Sequence, residues 1–154
     1  MLKKKAIVSA CLLGERCRYD GKTKYHDSLI EFLKDYEVIP FCPEAPLFGT
    51  PRERINVVGN NIITDSGEDV TVRLKDEINT FINYHDSLSE EDIIILKSKS
   101  PSCGLGTTPI LNENGDVVKK GDGIAAKIFK QYYNNNNIYD ENNFNIEENR
   151  CQKK

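Results

Sequence analysis

The chain lacks any long apolar run. No window approaches the roughly 18 residues that a membrane-crossing helix needs, which excludes a helical membrane protein. It also lacks a basic surplus: 21 Lys and Arg stand against 24 Asp and Glu, for a net charge of −3. That balance argues against duplex nucleic acid as a partner. Histidine is scarce, with only His26 and His85, both inside helical patterns. A catalytic zinc site is usually rich in histidine, so this composition speaks against one. No internal repeat is visible, and no two cysteines have the Cys-x-x-Cys spacing of a thioredoxin-like redox pair. The apolar run at the start, Ala6–Ala10, is about five residues, shorter than the roughly 7–15 of a secretory signal. It is expected to be a first β-strand, and the protein to be cytoplasmic.

Against those absences stand five cysteines in 154 residues. In a reducing compartment cysteines more often ligate metal, catalyse or fill small core sites than form disulfides. An odd number also opposes a fully paired framework. The length fits one domain, able to bury roughly 68–70% of its unfolded surface.

Short apolar runs rich in β-branched residues occur at Lys5–Ala10, Glu37–Phe41 and Ile93–Lys97. They do not alternate, which suits parallel strands covered on both faces. Between them lie amphipathic helical patterns at His26–Tyr36, Val70–Ser87 and Gly123–Tyr133. In the second, Val70, Leu74, Ile78, Phe81 and Ile82 recur at spacings of three and four. The expected fold is α/β: a single-domain, Rossmann-like three-layer sandwich with a mainly parallel sheet. Two small hairpin insertions are expected, one over Val57–Gly67 centred on Asn60-Asn61, the other over Leu111–Lys119 turning at Asn114-Gly115. The domain is placed at residues 1–133. Residues 134–154 read as a polar tail with one short edge strand near Phe144–Ile146.

Cys11, Cys42 and Cys103 fall at or just beyond the ends of the three expected strands. Ligands of open α/β sheets bind outside the carboxyl ends of the strands, so these thiols can meet in one crevice. Three thiolates with an open position suit a 4Fe–4S cluster with one free iron; the bland alternative is three small buried hydrophobes. Glu44, two residues beyond Cys42, is a candidate proton donor or base, or else pairs with an arginine such as Arg52. The stretch Lys97-Ser98-Lys99-Ser100-Pro101-Ser102-Cys103-Gly104 offers hydroxyl and backbone donors for cluster sulfides or an anion. Arg18, Tyr19 and Asp20 form a turn closed by Gly21, read either as a substrate-recognition loop or as a local Arg–Asp pair. Cys17 is read as packing behind the ligands in that loop, and Cys151 as an inert thiol on the tail. Asp69 is expected to cap a helix. Gly121-Asp122-Gly123 either presents helix amides to an anion or is a plain turn.

Several motifs occur together: Ser9-Ala10-Cys11-Leu12-Leu13-Gly14, Cys17-Arg18-Tyr19-Asp20-Gly21, Pro40-Phe41-Cys42-Pro43-Glu44, Thr50-Pro51-Arg52, Gly67-Glu68-Asp69-Val70-Thr71 and Leu96–Gly104. In that order the chain closely resembles the bacterial thiouracil desulfidase family. The resemblance spans most of residues 7–129, and the stretch Ala45–Gly49 departs from the family's glycine- and leucine-rich pattern. It implies a 4Fe–4S cluster on Cys11, Cys42 and Cys103, with the free iron binding the sulfur removed from a thiolated uracil. It also implies Glu44 and Ser100 as catalytic groups, with Arg18, Tyr19, Asp20 and Ser102 at the substrate. The expected activity is conversion of 2- or 4-thiouracil, or a related thiopyrimidine or nucleotide, to the oxygen analogue plus sulfide. Small molecules are favoured over thiolated transfer RNA. Two rivals remain at this stage: a non-catalytic metal or iron–sulfur binding or sensor protein, and a metal-free thiol enzyme using Cys11 and Cys17.

Overall fold

The computed structural model describes residues 3–14, 27–49, 51–134 and 137–144. Among them run eight strands and four α-helices: β1 (Lys5–Ser9), α1 (Asp27–Phe32), β2 (Glu37–Phe41), α2 (Ala45–Phe48), β3 (Ile55–Val58), β4 (Asn61–Thr64), α3 (Thr71–Tyr84), β5 (Ile93–Leu96), β6 (Thr108–Leu111), β7 (Val117–Gly121), α4 (Ile124–Tyr132) and β8 (Asn137–Asp140). The chain is α/β, as its pattern implies. All three expected strands and all three expected helices are present, with ends within a few residues of their expected positions.

The first sheet has the order β2-β1-β5-β8, and every neighbouring pair is parallel. Its apolar runs are continuous because both faces are covered. Side chains alternate across the sheet: Ala6, Val8, Ile93 and Ile95 enter one core with Leu29, Phe32, Leu33 and Phe144. Ile7, Ile94 and Leu96 enter the other, against Leu74, Ile78 and Ile82 of α3 and Ala125, Ala126 and Phe129 of α4. Burying each such Val, Ile, Leu or Phe contributes about 1.5–3 kcal/mol, enough to hold the strand register. Pro40 sits in β2, at the sheet edge, where a missing N–H costs least.

Two expectations are corrected by the topology. The hairpins are not separate insertions. β3–β4 and β6–β7 join through a parallel β3–β6 pair, Val57 opposite Ile110 and Val58 opposite Leu111, into a second four-stranded sheet of order β4-β3-β6-β7. Val57, Ile62 and Ile110 are thereby buried in the second core. The first hairpin turns on Gly59-Asn60, with Gly59 at φ +60, one residue before the expected centre. The second turns at Asn112–Asp116 with Gly115 at φ +86, as its Asn-Gly pair foretells. The edge strand expected near Phe144–Ile146 lies instead at Asn137–Asp140, paired with β5. Phe144 serves as a core plug, its ring 5.1 Å from those of both Phe32 and Tyr139, and Ile146 lies outside the described residues. The helix cap also shifts: Val70 occupies the cap position of α3, and Asp69, one residue earlier, accepts the Thr71 N–H at 2.9 Å. No helix among the described residues is long and apolar enough to cross a membrane.

Candidate active site

Three neighbouring parallel strands deliver their carboxyl ends side by side. Cys11 lies in the 3-10 turn Ala10–Leu13 that continues β1. Cys42 follows β2 directly, and Cys103 lies in the loop after β5. All three line one cavity of about 840 Å³, together with Ser9, Glu44, Ser100 and Ser102. That volume is in the range of about 300–1,000 Å³ usual for ligand pockets. None of the three is in a disulfide. The strand-end placement read from the sequence thus brings the expected cysteines to a common wall.

The Cys103 loop is held by its own small residues. Ser100 Oγ accepts the backbone N–H of Cys103 at 3.0 Å and of Ser102 at 3.3 Å. Thr108 Oγ1 donates to the Ser100 carbonyl at 2.6 Å. A Cβ on Gly104 would lie 2.0 Å from that Thr108 oxygen, so only glycine fits. Gly123 is equally constrained, because a Cβ there would meet the Ser102 carbonyl at 2.5 Å. The Ala125 N–H at the start of α4 donates to that same carbonyl at 2.8 Å. Gly121-Asp122-Gly123 therefore docks the cysteine loop, and this amide is spent on protein rather than on an anion. Lys99, in the same loop, adopts φ +63, an uncommon conformation for a residue with a side chain.

Glu44 is buried and clamped at both oxygens. Ser102 Oγ donates to Oε2 at 2.7 Å, and Arg52 Nη2 lies 3.3 Å from Oε1. Both the pairing with Arg52 and the place beside the cysteines hold at once. Ser102, expected at the substrate, is buried and its hydroxyl is committed to Glu44. Ser100 Oγ lies 3.3 Å from Ser102 Oγ. Since the Ser102 proton goes to Glu44, Ser100 is the donor in that contact, and the hydroxyls point one way along the cavity wall, from Ser100 to Ser102 to Glu44.

Burial pushes the Cys103 thiol up to about 12; a hydrogen bond from Ser9 opposes this, and the neighbouring Cys42 and Glu44 reinforce it. Without a metal, Cys103 keeps its proton at neutral pH. This is the opposite of an activated nucleophile. The Ala45 N–H points at Cys42 Sγ, 3.5 Å away, and Ser102 Oγ lies 3.8 Å from Cys103 Sγ. The Ala45 N–H aimed at Cys42 Sγ is the kind of donor that iron–sulfur ligands take. No three His, Cys, Asp or Glu among the described residues are placed to hold a single metal ion. A cubane cluster binds each thiolate on a different iron, so its ligands need not meet at one point. The donor set fits such a cluster.

One wall was not foreseen. Glu141, from the stretch expected to be tail, accepts the Ser98 N–H at 2.7 Å and the Ser98 hydroxyl at 3.0 Å, and pairs with Lys97 Nζ at 3.0 Å. Asn142 Nδ2 reaches Ser98 Oγ at 3.2 Å. Burial alone would raise the Glu141 carboxyl, but the Ser98 N–H and the Lys97 ammonium outweigh it and hold the group below its ordinary 4.5. Its sequence signal is the acidic pair Asp140-Glu141 after the apolar pair Ile138-Tyr139, too short a run to stand out. Cys17, Arg18, Tyr19, Asp20 and Cys151 lie outside the described residues.

The family model for 2-thiouracil desulfurase matches residues 6–142. The match includes β8 and Glu141, beyond the stretch 7–129 that carries the motifs. The chain is 31% identical over 136 residues to the uncharacterized protein YbbK of Bacillus subtilis (strain 168), covering 81% of this chain and 89% of that one. It is also similar to the solved structure of the [4Fe-4S]-dependent thiouracil desulfidase TudS, at 30% identity with a TM-score of 0.73, covering 91% of this chain and 92% of the other.

Proposed function

The chain belongs to the 2-thiouracil desulfurase family, and from that premise we propose that it removes sulfur from a thiolated uracil at a 4Fe–4S cluster held by Cys11, Cys42 and Cys103. The observation that carries the reading is the convergence of these three cysteines, none in a disulfide, on one cavity at the ends of adjacent parallel strands. When bound, such a cluster supplies one iron without a cysteine ligand, a Lewis acid able to accept a soft sulfur atom.

The chain's own residues then have defined tasks. The thiopyrimidine enters the cavity with its sulfur toward the cysteines. Water replaces sulfur on carbon, so thiouracil plus water gives uracil plus hydrogen sulfide, with no net oxidation or reduction. Glu44 Oε2 is the proton acceptor. It lines the cavity itself and takes the proton from water there, while Ser102 Oγ donates to it and Ser100 Oγ, whose lone pairs already accept the Cys103 and Ser102 N–H groups, orients Ser102. Arg52 keeps the carboxylate oriented for that transfer. Arg18, Tyr19 and Asp20 are assigned to the substrate, and Cys17 to packing behind the ligands. A free base or nucleotide is favoured as substrate, and the cytoplasm as location. The two cores flanking the parallel sheet support the Rossmann-like three-layer plan.

The test is anaerobic reconstitution with iron and sulfide, followed by loss of the thiouracil absorbance band and appearance of sulfide. Alanine at Cys11, Cys42 or Cys103 is expected to abolish turnover. Full activity in any one of the three would remove that residue from the ligand set. A loaded cluster with no turnover would favour the binding or sensor reading.

A further inference from the structure

The turn after β8 adds one more polar side chain to the cavity wall. β8 runs parallel to β5, so the residues that follow it arrive beside Ser98. Buried Asp140 accepts the backbone N–H of Asn142 at 2.8 Å and of Asn143 at 2.9 Å, which fixes the turn. Asn142 lines the cavity and is exposed. Which way its amide faces is settled by Ser98. A carboxylate only accepts, so the Ser98 hydroxyl proton goes to Glu141 Oε2 at 3.0 Å. The two acceptor positions left on Ser98 Oγ take Lys97 Nζ at 3.3 Å and Asn142 Nδ2 at 3.2 Å. With its proton spent, Ser98 can face only the amide nitrogen. Asn142 Oδ1 is turned away from it, and no donor among the described residues bonds that oxygen.

We propose that Asn142 is a specificity-determining residue, its carboxamide pairing with the N–H and carbonyl on the pyrimidine edge that keeps its oxygen. The inference rests on the reading of this cavity as the pyrimidine site. Either thiouracil isomer carries N3–H beside one carbonyl when its sulfur points at the cysteines. Oδ1 accepts that N–H, and the second Nδ2 proton goes to that carbonyl. A cytosine-type ring carries the reverse pattern, a bare N3 beside an amino group. Reading it requires the amide to flip, which sets Oδ1 against Ser98 Oγ with no proton between the two oxygens. A pocket built to hydrogen-bond one pattern rejects the ring that leaves its polar groups unpaired.

The test compares cluster-loaded parent and Asn142→Ala protein. Uracil and cytosine carry no sulfur and do not react, so their dissociation constants are read directly by titration calorimetry. The parent is expected to bind uracil about tenfold tighter than cytosine, and Asn142→Ala to lose most of that preference. Iron content and thermal unfolding should match the parent, because the side chain is exposed. In turnover, the KM for 2-thiouracil should rise about tenfold with kcat little changed, as for a contact made equally in the ground and transition states. A parent without the preference, or an Asn142→Ala protein that keeps it, would overturn the proposal. So would lost iron or a lowered Tm in the variant, which would mark a structural role. A parent that shows the Asn142-dependent preference but turns over no thiouracil would refute desulfidation and leave the Asn142 assignment standing.

Discussion

Replacing Glu141 tests whether the last described strand belongs to the site. Its carboxylate accepts two hydrogen bonds from Ser98 and pairs with Lys97, with the two charged side chains only 10% and 18% exposed. Glu141→Ala strands a largely buried ammonium and a backbone N–H at once. Breaking one partner of a buried ion pair costs about 3–5 kcal/mol, a large share of the roughly 5–15 kcal/mol that holds a domain together. For a chain of this size that lowers Tm by about 6–20 °C. Glu141→Gln keeps an acceptor for the Ser98 N–H but loses the charge and sets an NH2 where Oε2 accepted the Ser98 hydroxyl and the Lys97 ammonium, so about 1.5–3 kcal/mol is expected. The pH dependence has a definite sign. The folded carboxyl lies below its ordinary 4.5, so its stabilisation is fully present above that value and is lost as pH falls through the folded pKa. The gap between parent and Glu141→Gln should therefore be constant near pH 7 and shrink below about pH 4.5. Urea unfolding at a series of pH values reads both quantities. A Glu141→Ala penalty under about 1 kcal/mol at pH 7, or a gap that widens in acid, would refute the reasoning.

Gly104→Ala forces a Cβ to 2.0 Å from Thr108 Oγ1. Overpacking and the lost Thr108 bond to the Ser100 carbonyl together cost about 2–5 kcal/mol, with impaired iron uptake; urea unfolding and an iron count check it. In metal-free protein Cys103, pushed up to about 12, should stay unmodified by iodoacetamide at pH 8, as peptide mass spectrometry would show. Rapid alkylation there would contradict the buried thiol. Arg52→Ala should lower kcat, because the buried Glu44 loses the partner at Oε1 that orients it. Unchanged kcat would remove Arg52 from that role.

Three strands of the parallel sheet, β1, β2 and β5, are legible because they are local, continuous runs of β-branched residues, and both cores explain why they do not alternate; β8 is not. The cysteine placement followed from that, since strand ends are set by the same runs. The second sheet was not legible, because it depends on β3 meeting β6 in parallel across more than fifty residues and has only two paired positions, Val57–Ile110 and Val58–Leu111. No local pattern encodes such a contact. Glu141 was missed for a related reason: its role exists only after β8 pairs with β5 and brings residue 141 to Ser98, 43 positions away. Phe144 misled because an aromatic in a polar tail reads as strand, whereas here it fills the core beside Phe32. Glu44 pairs with Arg52 through one oxygen and still stands beside the cysteines with the other on Ser102, because a carboxylate has two oxygens.

The most direct measurement is an anaerobic count of iron and acid-labile sulfide per chain, made on the parent and on the Cys11, Cys42 and Cys103 alanine variants. About four of each in the parent, falling sharply in all three variants, is the predicted result. Zinc in place of iron, no metal after reconstitution, or an undiminished cluster in any of the variants would contradict it.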